Sequence, residues 1–436
     1  MDTPICDFIN EYAKNERVRF HMPGHKGVGG ELYKFDLTEI DGADSLYHSD
    51  GIIEKSRQNA CKIFGADTYY ACEGCSQAIR AMLHIAAVEL GAKKILAARN
   101  AHKSFVSAAA LLGLEVEWLY QIDGSYLSCE IDEKYLESQI IKTQPNAVYL
   151  TTPDYLGNTL NVKALSKVCK KHGVLLLVDN AHGAYLKFLT PTQHPIDLGA
   201  DMCCDSAHKT LPALTGTAYL HANNNLKIEK HAILNALSLY GSTSPSYLLL
   251  CSLDKINPYL ESQFGKDLEE FINQLTKVKA ALKGFGYELI EKEPLKITIS
   301  TKPYGYTGGQ LNQELKAKGI VSEFYDNDYL VLMASPQNDK SGLQKLVQAM
   351  QKIEKKTPIK ELPPKQFIPT KKMDIRAAAL KKSVILPVEQ CEGKVLLQVS
   401  VSCPPAVPIL VCGEVVDKRA IECFKYYGVK SLAVAE

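Results

Sequence analysis

The order of apolar and polar residues along the chain predicts strands that alternate with helices. Short continuous apolar runs indicate buried strands at residues 68–72, 94–98, 116–120, 147–151 and 174–178. Apolar residues at helical spacing indicate helices at residues 53–64, 73–87, 104–112 and 162–172. Strands joined through helices in this way pair in parallel. We therefore predict an α/β fold with a mainly parallel, doubly wound sheet.

The pattern changes after residue 290, which indicates further domains. Alternating residues at 295–300, a helical stretch at 308–318 and a strand-like run at 329–334 suggest a smaller α+β domain. Residues 355–372 are dense in Lys and Pro and indicate a solvated linker. The predicted parts are an N-terminal arm at 1–50, a large domain at 51–290, a small α+β domain at 291–356, and a linker with a C-terminal domain at 357–436.

Composition excludes several classes of partner. The 436 residues are 46% hydrophobic and 23% charged, and the net charge is +1. Nothing therefore points to nucleic acid or to an anionic membrane surface. The N-terminus lacks the pattern of a signal peptide, and no apolar run reaches the roughly eighteen residues of a membrane span. We expect a cytoplasmic protein.

Cysteine usage agrees with that expectation. The chain has 13 cysteines, scattered and odd in number, which favours reduced thiols. Cys72 and Cys75 have CxxC spacing, but no second pair or histidine pair accompanies them. We favour a phosphate-binding turn there over a zinc or redox site, and we predict no metal site. Cys203 and Cys204 lie in a strand-like run and are expected in the core.

Two segments carry the chemistry. The apolar run that precedes Asp179 indicates a buried strand that ends in a carboxylate, and Lys209 closes a Ser-x-His-Lys turn. A lysine can form a Schiff base with pyridoxal phosphate, and an aspartate at a strand end can hold the pyridine nitrogen protonated. Lys209 alone carries little information because most lysines are solvated. The pair of segments predicts a pyridoxal-phosphate site.

A phosphate cradle is predicted where a strand, a glycine turn and a helix follow one another. Gly74, Cys75 and Ser76 open the helix after the strand at residues 68–72. The free N–H groups and the positive dipole end of a helix N-terminus bind anions. The pattern alone is weak, and together with Lys209 it becomes the expected phosphate site.

Four motifs resemble one enzyme family. They are His-Met-Pro-Gly-His-Lys-Gly at 21–27, Asp-Asn-Ala-His-Gly at 179–183, Ser-Ala-His-Lys-Thr-Leu at 206–211 and Ser-Thr-Ser-Pro-Ser-Tyr at 242–247. The chain resembles the ornithine/lysine/arginine decarboxylases of the aspartate-aminotransferase fold (fold type I). The resemblance is to short, biosynthetic-type members, because the acid-stress members carry a wing domain for which residues before His21 leave no room. It also covers the C-terminal domain.

The resemblance implies roles for further residues. His102 is expected to stack on the pyridine ring, and His182 to lie beside the ring. Cofactor contacts near the phosphate are expected from Ser76, Ser206 and His208. With Lys209 and Asp179, the residues His102 and His208 form the expected catalytic set. Thr243 and Ser244 are expected to reach the phosphate of a neighbouring subunit, which implies a homodimer with shared sites.

The substrate end is implied by two acidic residues. Glu323 and Asp44 are the candidates to bind the side-chain cation of a basic amino acid. The chain departs from the family at Cys75, Ser45 and Asn180, where many relatives carry Ser or Thr, an acid, and Glu respectively. Those departures leave the choice among arginine, lysine and ornithine open.

Three functions are compatible with the sequence. The favoured one is decarboxylation of a basic amino acid to its amine and carbon dioxide, feeding polyamine metabolism. The second is another pyridoxal-phosphate activity such as an aminotransferase, which would use the same fold and the same Lys209. The third is a non-catalytic relative, against which the intact Lys209, Asp179 and His208 argue.

Overall fold

The computed structural model describes residues 1–15, 17–121, 126–403 and 407–436. Its α-helices are α1 (Pro4–Lys14), α2 (Glu31–Phe35), α3 (Ile52–Phe64), α4 (Gly74–Val88), α5 (Lys103–Leu112), α6 (Glu133–Thr143), α7 (Val162–Lys171), α8 (Ala207–Thr210), α9 (Lys230–Ser238), α10 (Tyr247–Ser262), α11 (Phe264–Gly284), α12 (Gly308–Ala317), α13 (Lys340–Gln351), α14 (Ile375–Ala379) and α15 (Lys418–Tyr426). The strands are β1 (Asp67–Ala71), β2 (Lys94–Ala98), β3 (Glu115–Leu119), β4 (Ala147–Thr151), β5 (Leu175–Asp179), β6 (Met202–Asp205), β7 (Ala218–Ala222), β8 (Glu288–Ile290), β9 (Lys296–Ser300), β10 (Phe324–Tyr325), β11 (Tyr329–Met333), β12 (Val384–Pro387), β13 (Ser400–Cys403), β14 (Val407–Val411) and β15 (Ser431–Val434). The chain divides into two compact units, one with residues 1–92 and 175–266 and one with residues 93–174 and 267–436.

The first unit places three strand ends at one edge of a sheet. Its strands lie in the order β1-β7-β6-β5. β5 and β6 are parallel, whereas β7 is antiparallel to both β6 and β1. β1, β5 and β6 therefore run in the same direction, and their carboxyl ends share one edge. In an α/β sheet this is the edge at which ligands bind.

The N-terminal helix α1 is anchored within the first unit. Its apolar residues Ile5 and Ile9 are buried against α3 and α10. The carboxylate of Asp254 on α10 accepts hydrogen bonds from the backbone N–H groups of Ile5 and Cys6, at 2.9 and 3.0 Å. These amides belong to the first turn of α1, where no intrahelical acceptor exists. Asp254 therefore satisfies the start of this helix.

The second unit contains a parallel group of strands and three small antiparallel sheets. β2 pairs in parallel with β3 and with β4. The antiparallel sheets have the orders β10-β11-β9-β8, β12-β15 and β13-β14. Apolar residues from the small sheets and α15 form a common core in this unit, including Val331, Leu396, Phe424 and Leu432. The α+β texture expected after residue 290 corresponds to these sheets.

The predicted fold class is confirmed: the protein is α/β with a mostly parallel central sheet and smaller C-terminal sheets. Every predicted strand and helix of residues 53–178 is present, with ends shifted by a residue or two, which is within the usual fraying of element ends. The four-part domain division stays a prediction. No helix of the described residues is both long and apolar enough to cross a membrane. The cysteines whose side chains are described are free thiols.

Candidate active site

The predicted cofactor residues of the first unit gather at the shared edge of its sheet. Asp179 is the last residue of β5, and Ser206 follows the last residue of β6. The turn that contains Gly74 follows β1. Strand direction thus brings residues up to 132 positions apart in sequence, Gly74 and Ser206, to one edge.

Asp179 is buried, with only 2% of its surface exposed. Its Oδ1 accepts a hydrogen bond from the N–H of Ala181 at 3.1 Å and from the thiol of Cys204 at 3.8 Å. Burial, then the neighbouring Cys75 thiol and the Asp179 charge, raise the pKa of the Cys204 thiol well above its ordinary value. Cys204 therefore stays protonated and can donate to the carboxylate. Cys75, in the first turn of α4, is buried as well.

Lys209 and His182 form the second feature of the edge. Lys209 Nζ lies 3.0 Å from His182 Nε2, and His182 is only 5% exposed. A charged lysine can only donate hydrogen bonds, so His182 Nε2 accepts whenever Lys209 carries its full set of protons. The structure thus brings together two predicted site residues, one after β5 and one after β6.

Gly74 begins α4 in a conformation that glycine favours. Its φ is +66°, and its N–H donates to the carbonyl oxygen of Gly216 at 2.7 Å. A Cβ at this position would meet nothing within 4 Å, so backbone conformation rather than space selects glycine here. The amides of Cys75 and Ser76 follow in the first turn, where N–H groups point out of the helix end. This is the predicted anion cradle.

The turn after Lys209 returns to the cradle. Gly216 provides the carbonyl that holds Gly74, and the carbonyl oxygen of the next residue, Thr217, accepts a hydrogen bond from His208 Nδ1 at 2.8 Å. The proton of a neutral His208 is therefore on Nδ1, which leaves Nε2 as an acceptor. Ser206 is buried at the start of α8. The cradle and the lysine turn are parts of one hydrogen-bonded arrangement.

The carboxylate of Asp44 is occupied by hydrogen bonds from backbone amides of nearby residues. Its carboxylate oxygens accept hydrogen bonds from five amides, those of Ser45, Asp50, Gly51, Ile53 and Glu54. It thereby satisfies the first turn of α3, as an N-cap does. A substrate role for Asp44 stays a prediction, and the geometry gives this carboxylate a structural task.

The hydroxyl-rich segment at residues 241–247 packs on the same region. The Tyr247 hydroxyl donates to the backbone oxygen of Asp44 at 2.6 Å. At Gly241, a Cβ would lie 1.8 Å from the hydroxyl oxygen of Tyr47, so only glycine fits this close approach. The segment is therefore packed at both ends, and Thr243 and Ser244 between them are exposed.

His102 and Glu323 belong to the second unit. His102 caps α5, and its Nδ1 accepts from the N–H of Ser104 at 3.2 Å. Glu323 is exposed, and its Oε1 accepts a hydrogen bond from the Tyr155 hydroxyl at 3.2 Å. Their expected roles, ring stacking and substrate binding, stay predictions.

Three contributors to the site were not predicted. Cys204 lies in the core as expected, but its hydrogen bond to Asp179 was not foreseen. Gly216 and Thr217 were given no role, although their carbonyls hold Gly74 and His208. The glycine in Leu-Thr-Gly-Thr was the available signal, because it indicates a turn that must approach another backbone.

The donor set of the first unit fits pyridoxal phosphate. It supplies an amine at Lys209, a buried carboxylate at Asp179 and a helix N-terminus at Gly74. A phosphorylated, positively charged pyridine that forms a Schiff base needs these three groups.

Comparisons with known proteins agree with a pyridoxal-phosphate site. The family model described as Orn/Lys/Arg decarboxylase, major domain, matches residues 3–288, well over half of the chain. An arginine decarboxylase of Halalkalibacterium halodurans is 29% identical, over 95% of this chain and 91% of that protein. An arginine decarboxylase of Bacillus subtilis is 28% identical, over 96% and 92%. The structure of a lysine decarboxylase of Francisella novicida superimposes with a TM-score of 0.84 at 16% identity, covering 100% of this chain and 81% of that one.

The match over residues 3–288 identifies the family, and the superposition identifies fold type I. The chain belongs to the ornithine/lysine/arginine decarboxylase family and is a pyridoxal-phosphate-dependent decarboxylase of basic amino acids.

Proposed function

We propose that the protein decarboxylates L-arginine to agmatine and carbon dioxide, as a step in polyamine formation. The observation that carries the choice of arginine is the set of arginine decarboxylases that match the chain over more than nine tenths of both lengths. The relative named as an ornithine decarboxylase aligns with only 61% of the chain. The wider reaction class rests on the family itself.

Lys209 is proposed to hold the cofactor covalently, through its Nζ. When bound, pyridoxal phosphate supplies the electron sink that takes up the pair left on the α-carbon as carbon dioxide departs. His182 Nε2, at 3.0 Å, is placed to accept a proton from Lys209 Nζ and to return it. The α-carbon must gain one proton in place of the lost carboxylate. The Lys209–His182 pair is the proton source that we propose.

Asp179 is proposed to keep the ring nitrogen of the cofactor protonated. The carboxylate lies in a buried position, where a charge interacts strongly with an opposite charge nearby. Cys204 and Ala181 both hold Oδ1 and so fix the orientation of the carboxylate. The amides of Cys75 and Ser76 are proposed to bind the phosphate, with His208 Nε2 and the Ser206 hydroxyl nearby.

Glu323 is proposed to bind the guanidinium of arginine. A carboxylate and a guanidinium form paired, charge-assisted hydrogen bonds, and the Tyr155 hydroxyl already orients Glu323 Oε1. Losing a hydrogen bond to a charged group costs about 1.5–3 kcal/mol. Glu323→Gln should therefore raise KM for arginine roughly 10- to 100-fold, whereas Glu314→Gln, at a half-exposed residue of the same unit, should not.

The experiment is product analysis with the purified enzyme and each basic amino acid in turn. Agmatine and carbon dioxide should form from arginine faster than cadaverine from lysine or putrescine from ornithine, with no keto acid added. A faster reaction with lysine or ornithine would show that arginine is wrong while leaving the reaction class intact. Turnover that requires a keto-acid acceptor would indicate an aminotransferase instead.

A further inference from the structure

A second cluster of chemically active side chains lies inside the first unit, and it contains none of the proposed cofactor residues. It consists of His194, Cys203, Asp205 and His221, each 0% exposed. One ligand atom from each of them lies within 4.8 Å of the corresponding atom of every other member. We refer to these four residues as the buried cluster.

The sheet explains why three of the four meet. Cys203 and Asp205 are two residues apart on β6, so their side chains point to the same face. His221 of β7 is the register partner of Cys203 and shares that face. His194 arrives from the loop before β6 and closes the fourth side, and the ring of Phe64 packs against both histidines.

Both imidazoles aim their Nε2 at one carboxylate oxygen. Asp205 Oδ2 lies 2.9 Å from His194 Nε2 and 3.1 Å from His221 Nε2. The other carboxylate oxygen, Oδ1, accepts a hydrogen bond from the side-chain amide of Asn180 at 2.7 Å. Two nitrogens therefore lie within hydrogen-bond distance of one oxygen, and the Cys203 sulfur lies within 4.8 Å of all three atoms.

The hydrogen bonds of the second ring nitrogen of His221 resemble those that orient metal-binding histidines. His221 Nδ1 lies 2.9 Å from the Thr68 hydroxyl oxygen, and that hydroxyl in turn lies 3.1 Å from the carbonyl oxygen of Ala66. If the hydroxyl donates to the carbonyl, Nδ1–H donates to the hydroxyl, and Nε2 carries a lone pair. A lone pair that faces a carboxylate oxygen is unfavourable unless a proton or a metal ion lies between them. Metal-bound histidines commonly donate their other N–H in this way.

We propose that the buried cluster binds one zinc ion through His194 Nε2, Cys203 Sγ, Asp205 Oδ2 and His221 Nε2. Four protein ligands of mixed nitrogen, oxygen and sulfur character in a closed site suit tetrahedral, structural zinc. The charges also balance, because Zn²⁺ with one carboxylate, one thiolate and two neutral imidazoles has no net charge. Burying a neutral site avoids the cost of an isolated buried charge.

The zinc ion would brace the segment that carries the catalytic lysine. Asp205 directly precedes Ser206, and its partner Asn180 directly follows Asp179. The proposed zinc site takes no part in the decarboxylation, and its test does not depend on which substrate the enzyme uses. Its four positions follow no familiar spacing of metal ligands, which is why the sequence predicted no metal.

The test uses untagged protein expressed with zinc in the medium, because a histidine tag would bind zinc itself. Elemental analysis after gel filtration should give about one zinc per chain, as a one-site structure requires. X-ray absorption at the zinc edge of the wild-type protein should show one sulfur at about 2.3 Å and three nitrogen or oxygen atoms at about 2.0–2.2 Å. This measurement needs no variant and remains decisive if variants fail to fold.

Variants provide a second test of the zinc site. Cys203→Ser and His194→Gln should lose most of the zinc, whereas Cys391→Ser, a buried thiol of the second unit, should keep it. Protein produced with cobalt in place of zinc should show a thiolate-to-cobalt absorption that Cys203→Ser lacks. Wild-type protein with only traces of zinc, or zinc with no sulfur neighbour, would overturn the proposal and leave a hydrogen-bonded cluster.

Discussion

Replacing Gly74 by alanine separates the stability of the fold from the function of the phosphate cradle. Gly74 has φ +66°, and an alanine in that left-handed region costs about 1–2 kcal/mol. The added Cβ meets nothing within 4 Å, so the chain is expected to relax by changing φ rather than by moving neighbours. That change would weaken the hydrogen bond of Gly74 N–H to Gly216 and turn the amides of Cys75 and Ser76 away from the phosphate.

The matched control is Gly91→Ala. Gly91 has φ +70° and also has nothing within 4 Å of its Cβ position, but it lies beyond the far end of α4. Both variants should lose about 1–2 kcal/mol of unfolding free energy, measured by urea denaturation without cofactor. Only Gly74→Ala should bind pyridoxal phosphate more weakly. Losing one amide contact to a charged group, at about 1.5–3 kcal/mol, corresponds to roughly 10- to 100-fold in Kd.

Cofactor affinity is measured by titrating the cofactor-free protein and following the absorbance of the bound form. If both variants bind the cofactor as tightly as the wild-type protein while losing the same stability, the assignment of the cradle to Gly74 is refuted. A loss of affinity in both variants would instead indicate a general effect of destabilisation.

Three further predictions concern other parts of the molecule. Asp44→Ala should lower the unfolding free energy by about 1–2 kcal/mol, as loss of a helix cap does. The KM ratio between arginine and lysine should stay unchanged. A rise in KM without loss of stability would instead make Asp44 a substrate residue. Burial raises the pKa of Asp326 from 3.8 to about 6, so the folded state binds more protons than the unfolded state between these values and stability falls as pH rises through that window. Asp326→Asn, which keeps an acceptor for the amides of residues 328 and 329, should abolish this dependence in urea titrations at a series of pH values, and an unchanged profile would contradict it. Mixing Lys209→Ala protein with a variant that carries Thr243→Ala and Ser244→Ala should restore part of the activity through reassorted dimers, whereas no recovery after subunit exchange would show that sites are not shared.

The sequence predicted most of the strands and helices of residues 53–178, because local periodicity determines them, but it did not predict α6. It did not predict that β7 would pair antiparallel with β1 and β6, because strand pairing joins residues far apart in sequence and no local pattern determines it. It also missed α1, whose amphipathic face is short and whose start depends on Asp254, about 250 residues away in sequence.

Candidate site residues were predictable where a motif carries its own chemistry. Lys209, Asp179 and His182 lie in short motifs, and the structure brings all three to the carboxyl edge of the first unit's sheet. Cys204 could not be recognised, because its thiol becomes important only when β5 and β6 pair side by side. The buried cluster could not be recognised for the same reason, since β6 and α8 lie between His194 and the strand that carries His221.

The central claim is that Lys209 holds pyridoxal phosphate covalently and that the protein works as a decarboxylase through this residue. Borohydride reduction of the cofactor-loaded enzyme, followed by proteolysis and mass spectrometry, tests it directly. We expect one labelled lysine per chain, at Lys209, with loss of the visible absorption and of decarboxylation in parallel. A label on any other lysine, or full activity after Lys209→Ala, would contradict it.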